Sequence, residues 1–349
     1  MTGNEHEELL QIGLKVQKAT IGLSSNNHEL IQAPEYFGGA PHPAVSEGSG
    51  WLIRSQEANC EVERVDYQVP PGMDGYFTIL DRPGEPPALT FGEELVTATG
   101  DWSALEASTL DRRYSLLGNQ GVLFRYLLTV LERKGVFNFH ACGLQDRDTG
   151  TPYLILGERG SGKSALLLAA LDSGRYHAFG TEIVHAGIEA GEMVFYRGCL
   201  RNNVRVGHLL HDFPRLAEKL GVGFGELEDP WGTKVQLDFN AYAAPEAVIP
   251  SRELVIVVPR IEEELSRAHL SPIPADRLPM LKRTLLENLS DKIISMALAY
   301  ETVPVGSLDS PERLQKRKEF VDFVLEKGNI ARAVNLFAGT KNCLEGLSR

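Results

Sequence analysis

In Tyr153-Leu-Ile-Leu-Gly157-Glu-Arg-Gly160-Ser-Gly162-Lys163-Ser164-Ala-Leu-Leu-Leu-Ala-Ala-Leu171, a short apolar run leads into a glycine-rich turn and then into a segment of helix formers. The run has strand length, and Gly174 stands where the helix should end, as its C′ residue. Between the two, Gly157, Gly162, Lys163 and Ser164 meet the spacing G-x-x-x-x-G-K-[ST], with Gly160 as an extra glycine. Glycines there let the backbone turn so that successive N–H groups converge on one concavity. The start of a helix adds its positive dipole end. Such a cradle takes phosphate oxygens. Gly157, Glu158, Arg159, Gly160, Ser161, Gly162, Lys163, Ser164 and Ala165 are therefore the candidate phosphate-binding set. Lys163 is expected to reach the β- and γ-phosphates, and the Ser164 hydroxyl to ligate the metal. The cofactors expected are ATP or another nucleoside triphosphate, with Mg²⁺.

Phosphate chemistry also needs a carboxylate nearby, to hold the metal or to take a proton from an attacking hydroxyl. Glu182, in Ala178-Phe-Gly-Thr-Glu-Ile-Val184, is the first candidate, read on a strand Ala178–His185 that follows the loop helix. An exposed edge glutamate is the alternative. Asp238, in Val-Gln-Leu-Asp-Phe239, is a second candidate and reads more readily as a strand-end turn residue. His140 closes Phe137-Asn-Phe-His140, where alternation puts both phenylalanines on one face and His140 on the other. It could move a proton, contact phosphate or serve structure alone. Arg159 lies in the loop itself. Arg197, Arg201 and Arg205 follow the Glu182 segment and either neutralise phosphate charge or sit on the surface.

Working outward, residues 1–118 read as a smaller β-rich domain of unknown role, and 119–349 as a nucleotide-binding domain with a helical C-terminal part. Ile12, Leu14 and Val16 alternate, as do Val65, Tyr67 and Val69, and Tyr76–Leu80 is another strand-like run. A helix is expected over 122–131, stopped by Gly135. Phe137–Leu144, Tyr153–Leu156, Val235–Phe239 and Leu254–Val258 read as strands, the last closed by Pro259. The final 75 residues read as mostly helical, with helices over 278–298 and 311–327. Lys316-Arg-Lys318 on the second of these reads as a solvated face.

The 349 residues carry a net charge of −12 and a sequence pI near 5.3. That balance argues against nucleic acid and against anionic membranes as partners. The four cysteines are far apart in sequence, which suggests neither a zinc site nor a disulfide framework. No apolar run is long enough to span a bilayer, and Met1–Glu8 has no secretory character, so a cytoplasmic chain is expected.

From Phe137 onward the order of features resembles the HPr kinase/phosphorylase-like branch of P-loop kinases, related in fold to ATP-dependent phosphoenolpyruvate carboxykinase. The resemblance rests on His140-Ala141, the loop Gly157–Ser164, the helix Ala165–Gly174 and Thr181-Glu182. Leu254–Ile261 and the small-residue segment Ala331–Gly339 also look like segments of the serine-kinase-like members. The resemblance implies an α/β fold with a kinase core of that type behind the β-rich domain. It implies transfer of the γ-phosphoryl group to a hydroxyl of a small molecule, peptide or protein. Lys163, Glu182 and His140 would be the catalytic residues, and Ser164 and Glu182 the metal ligands. The family also tends to assemble, so a homo-oligomer is possible. Thr181-Glu182 replaces the family's acidic pair, and Arg197–Val204 lacks the HPr-specific signature. Two alternatives stay open: a nucleotide-binding regulator that lost catalysis with the acidic pair, and a partner-coupled ATPase.

Overall fold

The strand Leu254–Ile261 carries apolar side chains on both faces. Leu254 and Ile256 enter one apolar layer, Val255 and Val257 the other. A strand of that kind belongs inside a sheet covered on both sides. The computed structural model describes residues 10–31, 73–109, 114–118, 120–198, 200–225, 227–295 and 298–347, and it shows a mixed α/β fold with several sheets. Residues 1–134 with 292–310 form one unit, and residues 135–291 with 311–349 form another. The helix drawn with the second domain in the sequence reading thus falls in the first unit, beyond the 118/119 boundary.

In the first unit, β1 (Leu10–Val16), β2 (Ala19–Ser25), β3 (Gly75–Asp81), β4 (Ala88–Phe91) and β5 (Leu95–Gly100) make a sheet in the order β1-β2-β3-β5-β4. Two helices follow, α1 (Trp102–Ser108) and α2 (Val122–Arg133). The Asp81 carboxylate accepts the N–H groups of Trp102 and Ser103, at 2.9 and 3.0 Å, and Asp101 accepts that of Ala104, so the first turn of α1 is capped twice. The expected strand around Val65–Val69 lies outside the described residues.

The second unit holds β6 (Val136–His140), β7 (Cys142–Asp146), β8 (Pro152–Ile155), α3 (Lys163–Asp172), β9 (Tyr176–Gly180), β10 (Ile183–Glu189) and β11 (Glu192–Tyr196). It continues through β12 (Arg201–Arg205), α4 (Pro214–Lys219), β13 (Lys234–Asp238), β14 (Val248–Pro250), β15 (Leu254–Ile261), β16 (His269–Pro272) and α5 (Leu278–Ile294). The chain then adds the hairpin β17 (Leu298–Ala299) and β18 (Val303–Pro304) to the first unit, before α6 (Pro311–Lys327) and β19 (Ile330–Ala338) complete the second. A six-stranded sheet runs β16-β19-β15-β8-β7-β9, and a four-stranded one runs β14-β11-β10-β6. On one face of β8 and β15, Ile155, Val255 and Val257 meet Leu167, Leu168 and Leu171 of α3. On the other face, Leu154 and Ile256 share a layer with Phe139 and Val184, with Leu281, Leu285 and Leu289 of α5, and with Phe320 and Val324 of α6.

Several expectations need correction. Phe137–Leu144 is two strands, and so is Ala178–His185. β6 pairs with β10 in the four-stranded sheet, β7 with β9 in the six-stranded one. The two antiparallel pairs are one long ribbon that bends at Ala141 and at Thr181-Glu182. His140 faces Ile183 and Gly143 faces Gly180 on either side of the bend. Gly180-Thr181-Glu182 interrupts the second of these stretches, which in sequence still reads as one strand. Pro259 does not close β15, which continues to Ile261 beside β19. Pairing with β8 ends at Val257, so on that side Pro259 has no ladder bond to lose. The last 75 residues contain both expected helices, the first ending at Ile294, but also β19, a nine-residue strand beside β15. Val334, Leu336 and Ala338 supply its buried face. Arg317 is fully buried, between exposed Lys316 and Lys318, so only two of those three cations are solvated. Among the described residues no helix is long and apolar enough to cross a membrane.

Two expected outcomes follow from this packing. Phe320 stacks on Phe137 with ring centroids 4.2 Å apart. Replacing Phe320 by Ala should lower the unfolding free energy by about 3–5 kcal/mol, read from the urea midpoint. His185 is buried, and its Nδ1 lies 2.7 Å from Asn138 Oδ1, while Asn138 Nδ2 donates to the Val136 carbonyl. Burial pushes its pKa from 6.5 down to about 4. Between those values the unfolded chain binds the proton and the folded one does not, so stability falls as pH drops through this window and levels off below it. The loss from this residue is on the order of 3 kcal/mol. Urea unfolding at pH 7 and pH 4 should therefore show a smaller pH dependence in His185→Gln than in the unaltered protein.

Candidate functional site

The loop between β8 and α3 has the backbone that its glycines imply. Gly157, Gly160 and Gly162 have φ of +148, +84 and +96°. A Cβ on Gly157 would lie 2.6 Å from Ser161 Oγ, and one on Gly162 would lie 2.3 Å from Ile261 Cγ1. Both positions thus exclude a side chain by conformation and by space. Ser161 N donates to the Glu158 carbonyl at 3.2 Å, which closes a turn. Ile261 N, on β15, donates to the Ser161 carbonyl at 3.1 Å and holds the far side of that turn.

Gly162 is the N-cap of α3, and no side chain caps the helix. No acidic residue stands in its first turn. The first amides of a helix have no partner within it, and here no carboxylate or hydroxyl competes for them as a cap. The buried Ser161 Oγ has no hydrogen-bond partner within the protein. An orphaned hydroxyl and an uncapped helix start on the same turn suit an anion. Lys163 is only 9% exposed, and its Nζ donates to the carbonyls of Gly157 (2.5 Å) and Glu158 (3.1 Å). The ammonium is therefore held at the mouth of the loop. Glu158, Arg159 and Gly160 are exposed, Ser164 is half-buried, and Ala165 is buried in the helix.

The bend of the ribbon comes to this helix start. Ala141 N donates to the Glu182 carbonyl at 3.2 Å. The Cys142 thiol contacts the Thr181 carbonyl at 3.1 Å and the Lys163 carbonyl at 3.9 Å. Burial pushes this thiol up to about 12; the Lys163 charge acts against that shift and the Glu182 charge adds to it. Both charged groups therefore lie within electrostatic range of one buried sulfur. Glu182 sits in the bend rather than on a strand and is half-buried. Thr181 is buried; its Oγ1 donates to the Arg201 carbonyl at 3.1 Å and its own carbonyl accepts from Asn202 Nδ2 at 2.7 Å.

His140 ends β6, one residue before the bend, and its Nδ1 lies 2.6 Å from Asp291 Oδ2 on α5. One turn earlier on α5, Asn288 Oδ1 accepts the Gly157 N–H at 3.4 Å. Neither Asn288 nor Asp291 was found from the sequence. In sequence that segment reads only for its helical periodicity, and the fold alone shows what these side chains meet.

Other candidates point elsewhere. Asp238 is exposed; its Oδ1 accepts the Asn240 N–H at 2.8 Å, the turn role, and its Oδ2 lies 3.6 Å from Arg201 Nε. Arg197 donates to the Ala244 carbonyl and Arg205 to that of Trp231. Among the described residues no group of three or more His, Cys, Asp or Glu could hold a metal ion.

No protein-family model matches the chain, and no curated protein matches it. Among solved structures it is similar to the Hpr(Ser) kinase/phosphatase from Coxiella burnetii. That likeness has 17% identity, covers 43% of this chain and 94% of the other, and has a TM-score of 0.21. At that score it is a distant structural relationship on which no assignment rests.

Cys142 is 2% exposed as well as raised in pKa. At pH 8 only about one molecule in ten thousand would carry a thiolate there. Mass-spectrometric mapping should find Cys142 unmodified by iodoacetamide in the folded protein and alkylated in urea.

Proposed function

We propose that the second unit is an ATP-dependent phosphotransferase with a kinase core of the HPr kinase type, which moves the γ-phosphoryl group to an acceptor hydroxyl. The observation that carries this reading is the orphaned Ser161 hydroxyl beside the uncapped start of α3, with the Lys163 ammonium held at the same loop. The loop amides would hold the phosphates. Lys163 would exchange its loop carbonyls for phosphate oxygens and offset the charge that develops during transfer. Ser164 and Glu182 would hold Mg²⁺, which when bound neutralises part of the phosphate charge. His140 would take the proton of the acceptor hydroxyl as that oxygen bonds to the γ-phosphorus. The bond from phosphorus to the bridging oxygen breaks, and ADP leaves with the electron pair. Positioning and electrostatics would supply most of the rate.

Thr181 favours a second reading. It stands where the resembling family has an acid, and its hydroxyl is committed to the Arg201 carbonyl. A nucleotide-binding regulator without transfer activity fits that residue.

In a screen of γ-labelled ATP against hydroxyl-bearing small molecules, peptides and proteins, the unaltered chain should label an acceptor. Lys163→Ala should lower labelling by about 100-fold or more with an unchanged circular dichroism spectrum. Nucleotide binding without transfer, together with transfer gained in Thr181→Asp, would support the regulator instead. Failure to bind any nucleoside triphosphate would remove both. Gly162→Ala should weaken ATP binding at least about tenfold in calorimetry, because the new Cβ displaces the loop from Ile261.

A further inference from the structure

α5 brings two polar side chains to the site from a single face. Asn288 and Asp291 are three residues apart, so they lie on neighbouring rows of the helix. Asn288 meets the first amide of the phosphate loop, and Asp291 meets His140. The same helix is fixed by Leu281, Leu285 and Leu289, on the face next to Asn288, in the core layer that contains Phe139 of the His140 strand. Asn288 Nδ2 donates to the Thr284 carbonyl at 2.8 Å, which leaves its Oδ1 facing Gly157 N.

An imidazole has two nitrogens, and a partner at one decides what the other can do. A carboxylate at Nδ1 accepts a hydrogen bond from Nδ1–H, so in the neutral ring Nε2 keeps its lone pair. His140 lies two residues before Cys142, across the bend at Ala141, and the Cys142 thiol contacts the Lys163 carbonyl at the start of α3. We infer that Asp291 is the positioning residue for His140: it fixes the imidazole tautomer with Nε2 as proton acceptor, from the same helix that steadies the loop through Asn288. The inference rests on the phosphotransferase reading and adds the group that makes His140 competent as its base. Asp291 touches neither nucleotide nor acceptor in this role. It acts through His140, so its loss should reduce turnover and spare nucleotide affinity.

The test uses the full chain in five forms: unaltered, Asp291→Ala, Asp291→Glu, His140→Gln, and Asp291→Ala combined with His140→Gln. Nitrogen-15 spectra of labelled histidine, with His140 assigned by its absence from His140→Gln, report the tautomer directly. The unaltered protein should show Nδ1–H for His140, Asp291→Ala should lose that preference, and Asp291→Glu should restore it. In the transfer assay, Asp291→Ala should lower kcat at least about tenfold with the KM for ATP within about twofold, and Asp291→Glu should recover part of the loss. Placed on His140→Gln, Asp291→Ala should cause no further loss, since the two act as one unit. An Nε2–H tautomer in the unaltered protein, an unchanged kcat in Asp291→Ala, or an additive loss on His140→Gln would overturn the inference alone. Absence of transfer by the unaltered protein would overturn the phosphotransferase reading and the inference with it.

Discussion

The hydrogen bond from Ala141 N to the Glu182 carbonyl joins two strands where both leave one sheet for another. A long antiparallel ribbon that stayed in one sheet would keep its side chains in two continuous layers. This one bends, and the bend releases Glu182 from the ladder while Cys142 and Thr181 remain buried behind it. His140 is the last residue before the bend on one strand, and Lys163 begins the helix that the bend approaches. A base candidate, an acid candidate and a cation thus come from three elements and are gathered by one irregularity between two regular sheets.

The loop is shaped by what it lacks. It has no side-chain cap on α3, no acid in the first turn and no partner for Ser161 Oγ. Asp81 and Asp101 cap α1, whereas α2 and α4 lack a side-chain cap as α3 does, so the orphaned hydroxyl beside it is what sets α3 apart. A buried hydroxyl left without a partner at a helix start costs stability and is expected where a ligand completes the set. Lys163 meanwhile has two loop carbonyls, so its ammonium is solvated by the protein. On the proposed reading, a phosphate would displace those contacts, which would discount its affinity and keep the cation near the loop.

Much of the second unit was legible in sequence wherever a local signal stood alone. The glycine spacing gave the loop, Gly174 gave the end of α3, and Pro311 with Lys327 bounded α6. What stayed hidden was non-local. The stretches 137–144 and 178–185 each read as one strand, because a Gly-Thr-Glu break or a lone His within buried residues does not say which sheet the flanking residues join. Asn288 and Asp291 lay within a segment read only for its helical periodicity. Arg317 was hidden between two lysines that are solvated, and β19 within a run of small residues. Spacing and turn chemistry are written locally, whereas partners across the core are not.

The first unit is made of residues 1–134 and 292–310, with most of the second unit lying between them in sequence. On the ribosome, residues 135–291 therefore emerge before the first unit has all of its chain. The early segment must wait, incomplete, while more than a hundred further residues are made. The second unit must wait in turn for α6 and β19, the latter a neighbour of the central β15. Each unit therefore acquires its last segment, residues 292–310 for the first and 311–349 for the second, only after the bulk of the other has been made.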